Sequence, residues 1–359
     1  MTVKQILVFP GGMTRSLAYA GKAQAEGHSI VGASSLGHDP ARTKYNSWAF
    51  IPFVTDEDFF PALQRAVRDH NINGIYTPNP VVWDVLNKRL AQELPGVRLV
   101  NTSPVDEVTA PYAIARNFAA SIVENPLHLP DTPLRDLPDA REIAALYHHV
   151  EAIPGMCDHE KIRALCAIFR SAPAGDVVEI GSWWGKSAFV LRQLARLNHI
   201  GPLLCVDPWK IDFLAQNDAG GLVDSIEVDP DGAFDIFVTN LLPYAQGEMN
   251  YLRLPSVEAA ARYKASPDVV SPEFGAVQYS GRIAVLHIDG NHSEPAVRAD
   301  VAAWCSTVVP GGWIVLDDYV WPYGDGPKQA GDDFLEAHAD RIDVSFVMGS
   351  ALFIKLSEG

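Results

Sequence analysis

Residues 177–191, VVEIGSWWGKSAFVL, decide the fold expected for most of the chain. A short apolar strand runs into a turn that contains Gly181 and Gly185, and a helix begins at about Ser187. Glycines in such a turn allow a sharp change of direction and let a ligand approach the helix N-terminus closely. The stretch therefore indicates a βα unit with a ligand site at the carboxyl end of its strand.

Three kinds of ligand are compatible with a glycine turn of this type. A dinucleotide would need the spacing G-x-G-x-x-G, which is absent, and a phosphate loop would need G-x-x-x-x-G-K-[ST], from which GSWWGKS is one residue short. Glu179, two residues before the first glycine, would repel a triphosphate but suits a cationic amino group. Asp207 ends the next strand, where a carboxylate accepts hydrogen bonds from ribose hydroxyls. An acid for an amine, an acid for a ribose and a glycine turn between them describe a site for S-adenosylmethionine.

Strand-like and helix-like segments alternate on both sides of this unit. The second half contains DVVEIG, LLCVDPW, NYLRLP, IAVLHIDG and WIVLDDY, followed by VSFVMG and ALFIKL, which lie close enough in sequence to predict an antiparallel terminal hairpin. The first half repeats the alternation with ILVF, HSIVGAS, GIYTP and VRLV. Such alternation predicts parallel sheets with helices on their faces. The expected class is α/β with two Rossmann-like domains, the C-terminal one a doubly wound sheet.

The domain boundary is predicted from proline content. Four prolines fall between residues 126 and 138, where they oppose both helix and sheet pairing. We predict a small α/β domain over residues 1–125, a proline-rich linker with a helix over 126–154, and a second domain over 155–359. The second domain opens with DHEKIRALCAIF, a helix for which Asp158 is the expected N-cap.

Acidic residues also end two later strands of the second half. Asp289 follows one strand, and Asp317 and Asp318 follow another. Neighbouring parallel strands would bring the three together at the carboxyl edge of the sheet, where they would repel one another unless a cation neutralised them. Oxygen ligands favour magnesium, calcium or manganese. His292, just past the first strand, is a candidate general base, whereas His287 within that strand is expected in the core.

Residues 155–359 resemble a class I S-adenosylmethionine-dependent methyltransferase. The resemblance is carried by E-x-G-x-x-x-G at Glu179 to Gly185, by VDPW at Asp207 and by PGGWIVLDDY, in the order that this family has them. The acidic strand ends are similar to those of the macrocin O-methyltransferase branch, whose IDGD-type strand end and DDY pair hold magnesium, although this chain has IDGNH. The resemblance implies methylation of a small hydroxylated molecule, such as a sugar or natural product, with S-adenosylmethionine and Mg²⁺ as cofactors.

These patterns assign a role to each candidate site residue. Asp289, Asp317 and Asp318 are expected to hold the metal, and Asp289 and His292 are expected to take part in catalysis. The segment VWPYGDGPKQAG (320–331) is predicted to be a substrate-facing loop. The residues expected to bind the cofactor are Glu179, Gly181, Ser182, Trp183, Gly185, Ser187, Asp207, Trp209 and Ser256.

The first half resembles a different family. ILVFPGG, the helix that ends at Gly27, and DPARTKYNSWAFIPFVTD with the following helix and IYTP strand are similar to the small α/β domain that precedes ATP-grasp cores. The remaining chain leaves no room for such a core, so we expect a recognition or oligomerisation domain. We interpret Gly11-Gly12 chiefly as a turn, with contact to a phosphate or carboxylate as the alternative.

Composition narrows the expected partners. Of 359 residues, 48% are apolar, which suits a globular chain, and 28 basic against 44 acidic residues give a formal charge of −16. So acidic a chain is expected to bind neither nucleic acid nor an anionic membrane. Scattered cysteines, no signal peptide and no apolar stretch of about 18 residues predict a cytoplasmic protein. Its partner is expected to be a small-molecule substrate, with a homo-oligomer as an open possibility.

Three alternative functions stay open from the sequence alone. An N-methyltransferase is one, because nothing in the sequence fixes the acceptor atom. A nucleoside triphosphatase that uses Lys186 of the near-miss Gly-Lys-Ser loop is the second. A non-catalytic binding protein on a methyltransferase fold is the third.

Overall fold

The computed structural model describes residues 4–130, 132–213, 221 and 229–358. The chain divides into two compact units, Met1–Ile114 and Ala115–Gly359. Among the described residues, none of the helices combines the length and the apolar character that crossing a membrane requires.

The first unit contains a five-stranded parallel sheet with the order β3-β2-β1-β4-β5. The edge strand β3 was not predicted, because it is short and its side chains do not alternate between buried and exposed. The resemblance to the domain before ATP-grasp cores remains a prediction. The elements are β1 Gln5–Val8, α1 Thr14–Ala25, β2 Ser29–Ser34, β3 Ser47–Phe50, α2 Phe59–His70, β4 Gly74–Tyr76, α3 Pro80–Glu93, β5 Arg98–Leu99 and α4 Pro104–Glu124.

The second unit contains a seven-stranded sheet with the order β13-β14-β12-β11-β6-β7-β8. Strand β14 runs antiparallel to both of its neighbours, which confirms the terminal hairpin. The two-stranded β9-β10 hairpin was not predicted. The elements are α5 Ala140–Val150, α6 His159–Ile168, β6 Asp176–Ile180, α7 Lys186–Leu197, β7 Leu203–Val206, α8 Pro230–Ala245, β8 Met249–Leu252, α9 Ser256–Ala265, β9 Asp268–Ser271, β10 Gly275–Gln278, β11 Ile283–Ile288, α10 Glu294–Trp304, β12 Val308–Leu316, α11 Gly326–Ala337, β13 Ile342–Met348 and β14 Ala351–Leu356.

The large sheet is apolar on both faces, as expected of a sheet covered by helices. Along β6, Val177 packs into one core cluster and Val178 into the other, because alternate side chains of a strand point to opposite faces. The first cluster includes Phe189 of α7, and the second includes Trp304 of α10. The carboxyl ends of β6, β7, β11 and β12 therefore meet at one edge, where the candidate site residues lie.

The proline-rich stretch contributes to the core of the second unit. Leu129, together with Ile143, Leu146 and Val150 of α5, packs into the same cluster as α6 and α7. The division between the units lies within α4. The domain boundaries inferred from proline content, at residues 125 and 155, remain predictions.

Candidate active site

The glycine turn after β6 is held against the loop that follows β11. Gly181 and Gly185 have φ angles of +83° and +86°, in the left-handed region that favours glycine. A Cβ atom on Gly181 would lie 2.0 Å from the backbone oxygen of Asp289, so the two loops touch through their backbones. Gly185 caps α7, and a Cβ there would lie 2.8 Å from Cδ1 of Leu241. Both glycines are therefore needed for the shape of the turn.

Asp207 organises this turn through its carboxylate. Its Oδ2 accepts hydrogen bonds from the backbone N–H groups of Ser182 (3.1 Å) and Trp183 (3.0 Å), and its Oδ1 accepts one from Trp209 (2.8 Å). Burial raises the pKa of Asp207 to about 6, and these three hydrogen bonds oppose the rise. Asp207 thus ties the loop after β7 to the glycine turn, and its contact with a ribose remains a prediction.

The two tryptophans of the predicted cofactor site differ in their surroundings. Trp209 is 1% exposed, packs against Phe234 and Phe237, and donates its indole N–H to the backbone oxygen of Trp183 (3.0 Å). Trp183 is only partly buried. Both have positive φ angles, +44° for Trp183 and +40° for Trp209, which are uncommon for aromatic residues. Trp209 is a core residue that supports the turn, whereas Trp183 borders the site.

The two predicted serines beyond the turn itself occupy helix starts. Ser187 is buried in the first turn of α7. Ser256 begins α9, where its hydroxyl accepts a hydrogen bond from the indole N–H of Trp304 (3.0 Å). The hydroxyl of Ser256 is thus engaged with α10, and its contact with a cofactor remains a prediction.

Four charged side chains lie buried next to one another at the carboxyl edge of the sheet. Glu179 accepts a hydrogen bond from the hydroxyl of Ser182 (2.6 Å), and its Oε1 lies 3.3 Å from Nδ1 of His287. The other ring nitrogen of His287 lies 3.6 Å from Oδ2 of Asp317. Asp317 forms an ion pair with Lys161 of α6. We call Glu179, His287, Asp317 and Lys161 the buried charge network.

The network shifts the pKa values of His287, Asp317 and Lys161. Burial alone would lower the pKa of His287, but the neighbouring carboxylates of Asp317 and Glu179 raise it to about 9. Burial opposes ionisation of Asp317, yet the ammonium of Lys161 holds the pKa of that carboxyl well below its ordinary value. The pKa of Lys161 is raised in turn, because the attraction of Asp317 outweighs burial. His287 is buried, as expected, but as a charged link rather than an apolar core residue.

Lys161 was not predicted as a site residue from the sequence. It lies in DHEKIRALCAIF, where Asp158 caps the helix as predicted by accepting the backbone N–H of Lys161 (2.8 Å). Lysine is almost never fully buried unless it is paired, so its residue type alone gives no reason to expect it in the core. The available signal was its spacing, because Lys161, Leu165 and Ile168 follow the i, i+4, i+7 pattern of one helix face.

A second cluster, more open to solvent, lies beside the network. Nε2 of His292 is 3.1 Å from Oδ2 of Asp318 and 3.8 Å from Oδ1 of Asp289. One ligand atom of each of the three lies within 4.8 Å of the others, so they could hold a metal ion. We call Asp289, His292 and Asp318 the acid–histidine cluster. Asp318 has a φ of +51°, a sparsely populated conformation that often marks functional sites.

The charges in this cluster are incompletely neutralised. Burial and then the negative charge of Asp317 raise the pKa of Asp289 to about 7. Burial likewise raises the pKa of Asp318. Burial disfavours the charged form of His292, but Asp289 and Asp318 raise its pKa above the ordinary value. A cation at this position would relieve the repulsion among the carboxylates.

The predicted metal trio is only partly brought together. Asp289 and Asp318 share the acid–histidine cluster, whereas Asp317 lies outside that cluster and its carboxylate is close to that of Asp289 alone of the two. Its Oδ1 accepts hydrogen bonds from the backbone of Asp318 (3.0 Å) and the hydroxyl of Ser350 (3.2 Å), and its Oδ2 is paired with Lys161. A group formed by His287, Asp289 and Asp317 also has the spacing of a metal site, but the lysine already supplies its cation.

The segment predicted as a substrate-facing loop is half helical. Its second half, from Gly326, belongs to α11, because Pro327 near the start of a helix favours helix formation. Its first half places Trp321 edge-on to the ring of His292, with centroids 4.7 Å apart. A Cβ on Gly326 would lie 2.1 Å from the backbone oxygen of His292. The segment 320–325 therefore borders the acid–histidine cluster.

Lys186 does not have the surroundings of a phosphate-loop lysine. Its ammonium lies 3.8 Å from Oε1 of Glu151, just beyond α5. The carboxylates of Glu179 and Asp207 accept hydrogen bonds from Ser182 of the turn, and they would repel a triphosphate. These contacts weigh against the nucleoside triphosphatase.

One protein family and several solved structures are similar to this chain. Residues 178–319 match the family described as a methyltransferase domain. Similar solved structures include the O-methyltransferase NovP (17% identity, TM-score 0.38, covering 70% of this chain and 100% of that one) and the calicheamicin methyltransferase CalS11 (14%, 0.36, 71% and 94%). A third is MycE from the mycinamycin biosynthetic pathway, in complex with Mg, SAH and mycinamycin VI (17%, 0.30, 51% and 45%). No curated protein sequence matches the chain. The family match covers both strand ends that form the site, so residues 178–319 are similar to a methyltransferase domain.

Proposed function

We propose that the protein methylates a hydroxyl oxygen of a small molecule, such as a sugar or natural product, at the carboxyl edge of the seven-stranded sheet. The observation that carries the proposal is the backbone contact between Gly181 and Asp289. It joins the glycine turn, where the cofactor is expected, directly to the acid–histidine cluster. A methyl donor over the turn and an acceptor beside His292 would therefore be neighbours.

The acidity of the edge favours the expected cofactor. S-adenosylmethionine carries a positive sulfonium and an ammonium group, and it supplies a methyl group that is already activated. Glu179 and Asp207 both contact Ser182 of the turn, and they are 0% and 7% exposed. Their negative charges favour a cationic ligand above the turn, while the glycines let its chain approach the backbone. We propose that the turn residues from Gly181 to Gly185 hold this cofactor.

An oxygen acceptor is favoured by the acid–histidine cluster. A hydroxyl must lose its proton during methyl transfer, and His292 is placed to accept it, with Asp318 at 3.1 Å to stabilise the imidazolium. Alignment of the acceptor oxygen with the activated methyl group lowers the activation barrier further, by on the order of 7–11 kcal/mol in well-oriented systems. Trp321 packs edge-on to His292 and would exclude water from that side of the imidazole ring.

The donor set fits a divalent cation. Asp289 and Asp318 offer carboxylate oxygens whose pKa values are raised first by burial and then by the negative charge of Asp317, and a bound cation would favour their ionised form. We propose that these two residues hold magnesium or manganese, with His292 left as the base. When bound, such an ion acts as a Lewis acid that lowers the pKa of an acceptor hydroxyl.

The test is methyl transfer from isotope-labelled S-adenosylmethionine to a panel of hydroxylated compounds and to their amine analogues. We expect label on oxygen, with kcat lowered about 100-fold or more in His292→Asn and cofactor affinity unchanged. His38→Asn, at an exposed histidine of the first unit, is the matched control and should behave as wild type. Label on nitrogen, or equal rates in His292→Asn and the control, would contradict the proposal.

A further inference from the structure

The first unit contains a cavity of about 390 Å³ at the carboxyl edge of its sheet. Strands β2 and β3 are added on one side of β1 and strands β4 and β5 on the other, so the strand order reverses at β1. Open α/β sheets bind ligands in the crevice that such a reversal creates. Loops after four strands and the start of α3 line the cavity: Phe9, Pro10, Gly12, Met13, Ser34, Ser35, Leu36, Asp39, Phe53, Val54, Asn79, Val81 and Val82.

The cavity lining includes several apolar side chains that are exposed to solvent. Leu36 is 53% exposed, Phe53 57% and Val81 60%, although they come from two different loops and the first turn of α3. Large apolar side chains that converge on one concave surface are typical of a ligand site, because a ligand removes them from water. The volume also falls in the usual range of small-molecule pockets, about 300–1,000 Å³.

The polar groups of the lining restrict the charge of the ligand. Asp39 is the one charged residue among those that line the cavity. A Cβ on Gly12 would lie 3.0 Å from both of its carboxylate oxygens, so Asp39 lies directly before α1, where an anion would otherwise bind. With a carboxylate here and no lining cation, a phosphate or carboxylate ligand is disfavoured. The Gly11-Gly12 turn is therefore poorly suited to the anion contact considered from the sequence.

The same carboxylate is the group that can recognise a neutral ligand. Oδ1 of Asp39 accepts the backbone N–H of Ala41 (2.9 Å), whereas Oδ2 receives no hydrogen bond from the residues that the structure describes. Two other polar side chains of the lining hold their own segments: Ser34 accepts the N–H of Leu36, and Asn79 accepts those of Val81 and Val82. An ionised carboxylate only accepts, so its ligand must bring donors such as hydroxyl groups.

We propose that this cavity is a second small-molecule site, for an uncharged glycoside. The hydroxyl groups of its sugar ring donate to Asp39, and its apolar group covers Leu36, Phe53 and Val81. The proposal concerns the first unit alone and does not depend on methyl transfer or on the acceptor of the second unit.

Two probes that differ in one group test the charge argument. Binding of p-nitrophenyl β-D-glucoside and of p-nitrophenyl β-D-glucuronide to the full-length protein is measured by saturation-transfer NMR, with S-adenosylhomocysteine saturating. The two differ only in a CH₂OH group against a carboxylate. We expect the glucoside to bind and the glucuronide to bind at least about tenfold more weakly. No binding of the glucoside, or equal binding of both, would overturn the proposal.

Paired variants locate the binding. Val81→Trp fills the mouth and should abolish glucoside binding, whereas Val105→Trp should not, although both valines are exposed and follow a proline at a helix start. Asp39→Asn should weaken glucoside binding about tenfold and reduce the difference in affinity between the glucoside and the glucuronide. Asp69→Asn, at an exposed position of α2, is the control and should bind both as the wild type does. Equal binding by the two tryptophan variants would place the ligand elsewhere and refute the site, even if Asp39→Asn failed to fold.

Discussion

Replacing Lys161 by methionine is the most informative perturbation of the second unit. Lys161 and Asp317 have side chains only 2% and 3% exposed, and the pair joins α6 to the end of β12. Methionine keeps the length and apolar stem of lysine but removes the charge. Asp317 would then be a buried carboxylate without its principal partner.

The expected cost follows from the surroundings of Asp317. Removing one partner of a buried ion pair typically lowers the free energy of unfolding by about 3–5 kcal/mol. We expect the lower end, about 3 kcal/mol at pH 7, because the imidazolium of His287 stays 3.6 Å from Oδ2. The double variant Lys161→Met/Asp317→Asn should be more stable than Lys161→Met alone, since no uncompensated charge remains. The coupling energy should be at least about 1 kcal/mol.

Denaturant unfolding followed by tryptophan fluorescence measures these energies, because six of the eight tryptophans belong to the second unit. Lys328→Met, which breaks an exposed i, i+4 pair with Asp332, is the control and should leave stability nearly unchanged. A loss below about 1 kcal/mol for Lys161→Met, or no recovery in the double variant, would refute the buried charge network as described.

Three further predictions concern the site. Gly181→Ala should abolish cofactor binding, and it should lower the thermal stability by more than Gly247→Ala does. Both glycines have positive φ angles, but only at Gly181 would a Cβ atom collide with backbone atoms. Equal losses of thermal stability in the two variants would refute the steric argument. His287 has its pKa raised from 6.5 to about 9, so its contribution to stability, about 3 kcal/mol, is present below pH 6.5 and lost as the pH rises to 9. Unfolding at stepped pH should show this decline, and a profile without it would contradict the charged link. Calorimetric binding of Mn²⁺ should be lost in Asp289→Asn and in Asp318→Asn; ion binding that survives both would exclude the proposed metal site.

The alternation of strands and helices, together with the acidic residues at strand ends, was sufficient to predict which residues lie at the carboxyl edge of the large sheet. The pattern around Gly181 and Gly185 fixed where a strand meets a helix, and parallel strands bring Asp289 and Asp318 to one edge whatever their order. These inferences are local or depend on a rule of the fold class. They therefore did not require knowledge of side-chain contacts.

The partners of individual side chains could not be predicted in the same way. The contact between Lys161 and Asp317 joins residues 156 positions apart, and nothing near either residue specifies it. Asp207 ends its strand as expected. Which backbone N–H groups donate hydrogen bonds to its carboxylate depends on the conformation of two loops, which the sequence does not specify. Val297, Val301, Trp304 and Val308 have the spacing of one helix face, yet α10 ends at Trp304 and Val308 begins β12, because an apolar spacing of four also suits a residue that enters the next strand.

Titration of S-adenosylmethionine into the protein by calorimetry tests the central assignment most directly. The wild-type protein should bind the cofactor, and Glu179→Gln should weaken binding, because it removes the buried negative charge beneath the turn while leaving an oxygen to accept from Ser182. Asp176→Asn, at the opposite end of the same strand, should bind as wild type does. Absence of binding in the wild type, or the same affinity in Glu179→Gln as in Asp176→Asn, would contradict a cofactor site at the glycine turn.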